Sequence, residues 1–260
     1  MTVSIRLGKS RRPSFGWLPI LLSLAAFGPE LVAAPQSPHQ KFDVVLRAHV
    51  VDGKVSYAGI AGDLRFAEYL QELERIDPEA LATREEKLAY WINAYNAFAI
   101  KGILDGSSPS TLFGRVAYFK LREYRAGGRD INLYDLERKV LIPMGEPRIH
   151  FAIVCASKSC PWLRSEAYTP DRIEQQLDES ARQFINDPSR NHFDSENRVA
   201  YLSQIFDWFA EDFERNSGSV LSYLAPYLKD QSLARELKNG EYTVKHLDYD
   251  WNINGIPPRA

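Results

Sequence analysis

The sequence predicts a helix-rich α+β fold, a single domain in which helices surround a small, mostly antiparallel sheet. Three observations carry that expectation. Apolar residues recur at helical spacing, most densely at Leu88, Trp91, Ile92, Tyr95, Phe98 and Ala99. Short β-type runs are separated by turn signals such as Ala126-Gly127-Gly128. No internal repeat or low-complexity stretch points to a solenoid. The 260 residues, 45% hydrophobic and 25% charged, suffice to bury a full core.

In chain order, Arg6, Lys9, Arg11 and Arg12 precede an apolar run from Trp17 to Phe27 and small residues at Val32, Ala33 and Ala34. A basic start, a short apolar stretch and a small-residue exit are the parts of a secretory signal peptide, so 1–34 are expected to be removed, with cleavage after Ala33 or Ala34. The apolar run is too short to span the ~30 Å hydrocarbon core. Residues 35–41 read as a disordered leader and 42–260 as the globular domain. A periplasmic or secreted location follows. The chain carries a net charge of −2, and losing four basic residues with the signal makes the remainder more acidic. That charge argues against a nucleic-acid partner, and no span is expected after cleavage.

Helices are expected from Phe42 to about Val50, and after Asp63, whose apolar face ends at Asp77-Pro78. Thr83-Arg84-Glu85-Glu86 is a capping box opening the most apolar helix, which runs to about Leu104. Val55–Tyr57 reads as extended. Val116–Tyr124 and Arg129–Ile131 read as a hairpin, and Asn132 caps a helix, Leu133–Leu141. Ile149–Cys155 is a near-continuous apolar run suited to a buried central strand. Thr169-Pro170 opens another helix. Val199–Leu202 and Tyr242–Trp251 read as strands, with Ile205–Phe213 and Val220–Leu228 as helices between them.

The chemistry concentrates in His150 through Arg164, which holds both cysteines of the chain, Cys155 and Cys160. Pro161 is a favoured first helical residue. It would set Cys160 at a helix N-terminus, where unpaired N–H groups and the dipole favour a thiolate. Lys158 and Arg164 would add positive potential. His150 is the candidate base, although opposite strand parity would turn it away from Cys155. His246, near Asp248 and Asp250, is a second candidate. In an oxidising compartment the alternative reading of the two cysteines is a disulfide, Cys155–Cys160. Zinc on His150, Cys155 and Cys160 lacks a standard spacing and a fourth ligand, so no metal or other cofactor is expected. Asn93 and Asn96 are poor helix-interior residues, which suggests buried amides bonding loop backbone or substrate. Glu137 would either orient a histidine or pair with Arg138 or Lys139 at the surface. The locally basic, aromatic stretch from Arg115 to Arg129 reads as a solvated face, or as a contact for an anionic polymer or lipid headgroup.

Several motifs occur in a fixed order: Tyr90-Trp91-Ile92-Asn93-Ala94-Tyr95-Asn96-Ala97, Gly127-Gly128, Ile131-Asn132-Leu133, Leu136-Glu137, Ile149-His150-Phe151-Ala152, Cys155-Ala156-Ser157, Ser159-Cys160-Pro161, Leu163-Arg164 and Tyr249-Asp250-Trp251-Asn252-Ile253-Asn254. Together they resemble the domain of unknown function 547 family, over roughly Phe42 to Asn254. The resemblance implies that the Asn-bearing helix, His150 and the Cys-Pro loop form one constellation in an exported bacterial type of protein. It brings no settled activity. Members often carry a histidine after the glutamate matching Glu137, where this chain has Arg138.

Two functions are therefore expected to compete. One is a thiol-dependent hydrolase or acyl transferase with Cys160 as nucleophile, His150 as base, Glu137 as a third group, and Asn93, Asn96, Ser159 and Arg164 binding loop or substrate. Backbone N–H groups after Pro161 would be its oxyanion site. The other is a non-catalytic binding or scaffold domain with a structural Cys155–Cys160 bridge. The expected partner is a small molecule or an envelope polymer.

Overall fold

Thr83 and Glu86 form a reciprocal capping box: Thr83 Oγ1 accepts the Glu86 N–H at 3.1 Å, and the Glu86 carboxylate accepts the Thr83 N–H at 3.0 Å. The helix so opened, Arg84–Leu104, is buried on every side from Leu88 to Ile100 in this computed structural model. A helix apolar all round is stable only inside a protein. The first core accordingly surrounds it, with Leu46 of Gln40–His49, Tyr69 and Leu73 of Leu64–Arg75, and Leu133 and Leu136. The structure describes residues 38–240 and 242–255, together with Met1–Ser4 and Gly8. The chain divides into units Met1–Pro35 and Gln36–Ala260, and the fold described is that of the second. The expected signal-peptide run, its cleavage point and leader residues 35–37 lie outside the described residues.

The α+β expectation holds, with three small sheets among the described residues in place of one. Val50–Val51 pairs with Lys54–Val55, and Glu123–Ala126 with Arg129–Asn132, both antiparallel. In the second hairpin Gly127 and Gly128 both have positive φ, as a tight two-residue turn demands. A Cβ on Gly127 would also lie 2.4 Å from Pro78 Cδ. The third sheet sets His192–Asp194 antiparallel to Val199–Leu202, which in turn pairs parallel with Thr243–His246.

A second core lies under that sheet, built from Ile173–Ile185, Ala210–Ser217 and Val220–Leu224. Phe151 sits among Phe184, Phe206 and Phe213, with centroids 5.2, 5.7 and 5.7 Å away. Its neighbours Ile149, Ala152 and Ile153 belong to the first core. The segment between the cores is thus clamped from both sides, each aromatic pair adding about 0.5–1.5 kcal/mol beyond burial. His150 and the cysteine loop stand on that seam.

Five expectations need correction. Ile149–Cys155 is buried but is no strand: Pro147–Phe151 is a 3₁₀ turn, with Pro147 at its start and Glu146 capping the Arg148 N–H. Residues 161–164 form no helix, so Cys160 caps nothing. Ala117–Leu121 is a helical turn where Val116–Tyr124 was expected to be strand; it continues the turn Leu112–Val116, which Thr111 opens by capping the Gly114 N–H. Of the expected extended piece Val55–Tyr57, Val55 and Ser56 are extended, but Tyr57 opens a helix, Tyr57–Ala61, capped by Ser56. The leader is ordered from residue 38: His39 is buried, its Nδ1 2.8 Å from Tyr69 Oη. Among the described residues, no helix is long and apolar enough to cross a membrane.

Candidate active site

The cysteine loop belongs to none of the three sheets, and its backbone groups are met by other means. Asn96 reaches out of the central helix, donating from Nδ2 to Ala152 O at 3.0 Å and accepting the Val154 N–H at 2.9 Å. It imitates a neighbouring strand over one rung. Asn93 does the same for Tyr168, at 2.8 and 2.9 Å. From the far side the C-terminal strap lies along the loop: Ser157 bridges Ile253, Lys158 N–H donates to Asn252 O, and Asn254 N–H donates to Ala156 O. Arg190 donates to the carbonyls of Cys160 and Lys158. Ala156 is held at φ 63°, a left-handed conformation costing a non-glycine residue about 1–2 kcal/mol. That strain turns the chain between Cys155 and Ser157.

Both cysteines are buried and free, their sulfurs 2.8 Å apart, and so are not the expected disulfide, whose bond is about 2.05 Å. Burial pushes the Cys155 thiol up, but the donors around it outweigh burial and leave it below its ordinary value. They are Cys160 Sγ at 2.8 Å, Ser157 Oγ at 3.0 Å and Tyr249 Oη at 3.3 Å. Cys160 is pushed up by burial and by its neighbour's sulfur, so it stays protonated and serves as a donor. The sequence reading placed the nucleophile at Cys160. No helix follows Pro161, and the Cys155 N–H that Cys160 Sγ accepts at 2.8 Å does not offset burial and the neighbouring sulfur, so Cys155 is the candidate nucleophile.

His150 Nε2 lies 2.8 Å from Asp212 Oδ2, and the ring stacks on Phe209 at 3.9 Å. Burial lowers its pKa despite the carboxylate, so the ring is neutral. A neutral ring donating from Nε2 has a bare Nδ1, and that atom is buried without a hydrogen-bond partner. Glu137, in a wide helical turn from Leu136 to Leu141, is half-buried rather than paired at the surface. Burial raises its carboxyl to about 7, reinforced by the charges of Cys155 and Asp212 and opposed by Arg138. A cavity of about 260 Å³ gathers these groups: His150, Cys155, Cys160, Glu137 and Tyr249 all line it. No hydrogen bond joins His150 to either sulfur; what they share is this wall.

The remaining expected site residues go elsewhere. Asn93 and Asn96 hold backbone and do not line the cavity. Ser159 accepts the Asp250 N–H at 2.9 Å and so fixes the strap. Arg164 is tied to Glu166 and Glu179, away from the thiols. Lys158 is exposed, 3.9 Å from Asp250, and His246 is exposed on the edge of its sheet. Among the described residues no three His, Cys, Asp or Glu side chains are grouped to hold a metal. Sequence reasoning did not single out Asp212, Tyr249 as a thiol donor, or Cys155 as the more acidic thiol. Asp212 is one of four acidic residues in a short stretch, Asp207, Glu211, Asp212 and Glu214, and nothing local distinguishes it.

The stretch from the capping-box helix through both cysteines to the helix ending at Ile185 carries most of these groups. Residues 78–185 match the model of the family described as "Protein of unknown function, DUF547". The resemblance read from the motifs is thus independently supported. The DUF547 match covers less than half of the chain, and it contains Asn93, Asn96, Glu137, His150 and both cysteines. Asp212 and Tyr249, which complete the histidine pair and the thiol's donors, lie outside the DUF547 match. No curated protein and no solved structure matches the chain.

Proposed function

We propose that the chain is an exported thiol-dependent hydrolase or acyl transferase, with Cys155 as nucleophile, His150 as general base and Asp212 as the residue that positions that base. The observation carrying this reading is the bare, buried Nδ1 of His150 in the same cavity wall as the hydrogen-bonded Cys155 thiol. A nucleophile, a base and a group orienting the base are the parts that acyl transfer needs.

In this reading the Cys155 thiolate attacks an acyl carbonyl and forms the C–S bond while the carbonyl electron pair moves to oxygen. Tyr249 Oη, 3.3 Å from the sulfur, is a donor for that oxyanion. Collapse breaks the bond to the leaving group, which takes a proton from Glu137, a carboxyl kept protonated up to about pH 7. Water or another acceptor then attacks the thioester, passes its proton to His150 Nδ1, and releases the thiolate; transfer of that proton from His150 to Glu137 through the cavity restores both groups. The scaffold alternative loses its main support, since the structural bridge it required is two free thiols.

Iodoacetamide labelling with peptide mapping tests the nucleophile, and an initial burst of nitrophenolate from p-nitrophenyl acetate tests the acyl-enzyme. Labelling and acetylation at Cys155, both absent in Cys155→Ser, are expected. Labelling confined to Cys160, or two inert thiols in folded protein, overturns the proposal. Export is tested by N-terminal sequencing of periplasmic protein, expected to begin at Ala34 or Pro35.

A further inference from the structure

The cavity wall is largely aromatic, and three cations stand in it. Arg115 lies over the Trp251 ring at 4.7 Å, Lys120 over Tyr134 at 4.3 Å, and Arg138 over Phe209 at 4.7 Å. None of the three makes an ion pair among the described residues. Several other cations are locked to carboxylates: Arg65 to Asp63, Arg148 to Glu146 and Glu174, and Arg164 to Glu166 and Glu179. On a chain of net charge −2, three unpaired cations on one small cavity are a local reversal of sign. Each is held against a ring face, which fixes its position without neutralising it. Glu137 is the one carboxyl in the same wall, and burial keeps it protonated below about pH 7.

We infer that the cavity binds an anionic ligand with a short apolar body, the body against the aromatic wall and the anionic group on Arg115, Lys120 and Arg138. The inference rests on the acyl-transfer reading for what happens to that ligand, but recognition itself needs no thiol. Apolar lining supplies affinity, and the few charged groups supply orientation. A volume of about 260 Å³ limits the enclosed part to a short chain or a single aromatic group. Such a ligand is either dissolved or presented by an anionic lipid.

Octyl phosphate is the probe, with octyl glucoside and octyltrimethylammonium as neutral and cationic controls. Binding is read by the fluorescence of the wall tryptophans Trp208 and Trp251 and by calorimetry. Octyl phosphate is expected to bind at least tenfold tighter than either control, and more weakly as salt rises. Arg115→Gln, Lys120→Gln and Arg138→Gln should each weaken it about tenfold, the scale of a hydrogen bond to a charged group. Arg115→Lys should restore part of the loss with the melting temperature unchanged. Equal binding of the neutral control, or indifference to all three substitutions, overturns the inference. Cys155→Ala should still bind octyl phosphate. Lost anion preference with intact Cys155 labelling therefore refutes the ligand class alone, and intact preference with inert thiols refutes the chemistry alone. Co-sedimentation with phosphatidylglycerol but not phosphatidylcholine vesicles supports a lipid source, and octyl phosphate binding without co-sedimentation supports a dissolved one.

Discussion

Asp212 Oδ2 meets His150 Nε2 at 2.8 Å, and the consequence falls on the other ring nitrogen. With Nε2–H committed to the carboxylate, Nδ1 is left as a proton acceptor in a buried wall. Asp212 is itself held below the usual carboxylate range, first by this hydrogen bond, so it accepts rather than donates. A side chain that accepts here fixes the tautomer; an amide presenting its NH₂ would reverse it.

Asp212→Asn should therefore lower kcat for thioester or ester hydrolysis by up to about 10⁴-fold, the loss that follows when a triad histidine is forced into the wrong tautomer. Its folding stability should change much less. Stopped-flow hydrolysis alongside a thermal melt separates the two, and a variant of unchanged kcat would remove Asp212 from the mechanism.

The acidity of Cys155 depends on what surrounds it, so it should respond to its partner. Rapid alkylation should reach half of its plateau rate at a pH below that of an ordinary thiol, because the donors hold the thiolate. Cys160→Ala removes the sulfur donor at 2.8 Å and should move that midpoint upward. Tyr249→Phe should move it in the same direction. The measurement is the iodoacetamide rate at Cys155 across pH, and unshifted midpoints in both variants would sink the assignment.

How much of this was legible in the sequence follows from how local each determinant is. The cap at Asp63, the box at Thr83 and Glu86, and the Gly127-Gly128 turn act over two to four residues, and each forms as expected. Ile149–Cys155 misled because a continuous apolar run fits a buried strand and a buried irregular segment equally well. The deciding partner, Asn96, is 58 residues away in sequence from Val154. The choice between the thiols had the same cause. Tyr249 lies 94 residues from Cys155 and Asp212 lies 62 from His150, distances over which spacing carries no signal. Helix-dipole reasoning about Cys160 failed for a simpler reason: the helix it required is absent.

Asn96 should behave as a structural residue with an indirect effect on the site. Asn96→Ala strands the Ala152 carbonyl and the Val154 N–H in the interior. Unpaired buried groups cost about 1–3 kcal/mol each, so a loss of about 2–4 kcal/mol in urea unfolding is expected. A loss under 1 kcal/mol would mean that water or a shifted loop replaces the amide.

Glu137 supplies a pH signature of its own. Its folded value of about 7 exceeds the ordinary 4.5 because burial disfavours the carboxylate. Between those values the folded chain retains a proton that the unfolded chain has released, so this group's contribution to stability falls as pH rises. The loss runs at up to about 1.4 kcal/mol per pH unit and is complete above pH 7. Glu137→Gln removes it. The variant should be more stable than the parent by roughly 1–3 kcal/mol at pH 8, with the gap closing by pH 4.5. Activity should move the other way, because glutamine cannot release the proton that Glu137 gives to the leaving group. Paired denaturation curves at the two pH values decide the matter: a gap that does not depend on pH, or one that widens toward acid, would show that Glu137 is ionised in the folded chain and cannot act as the acid.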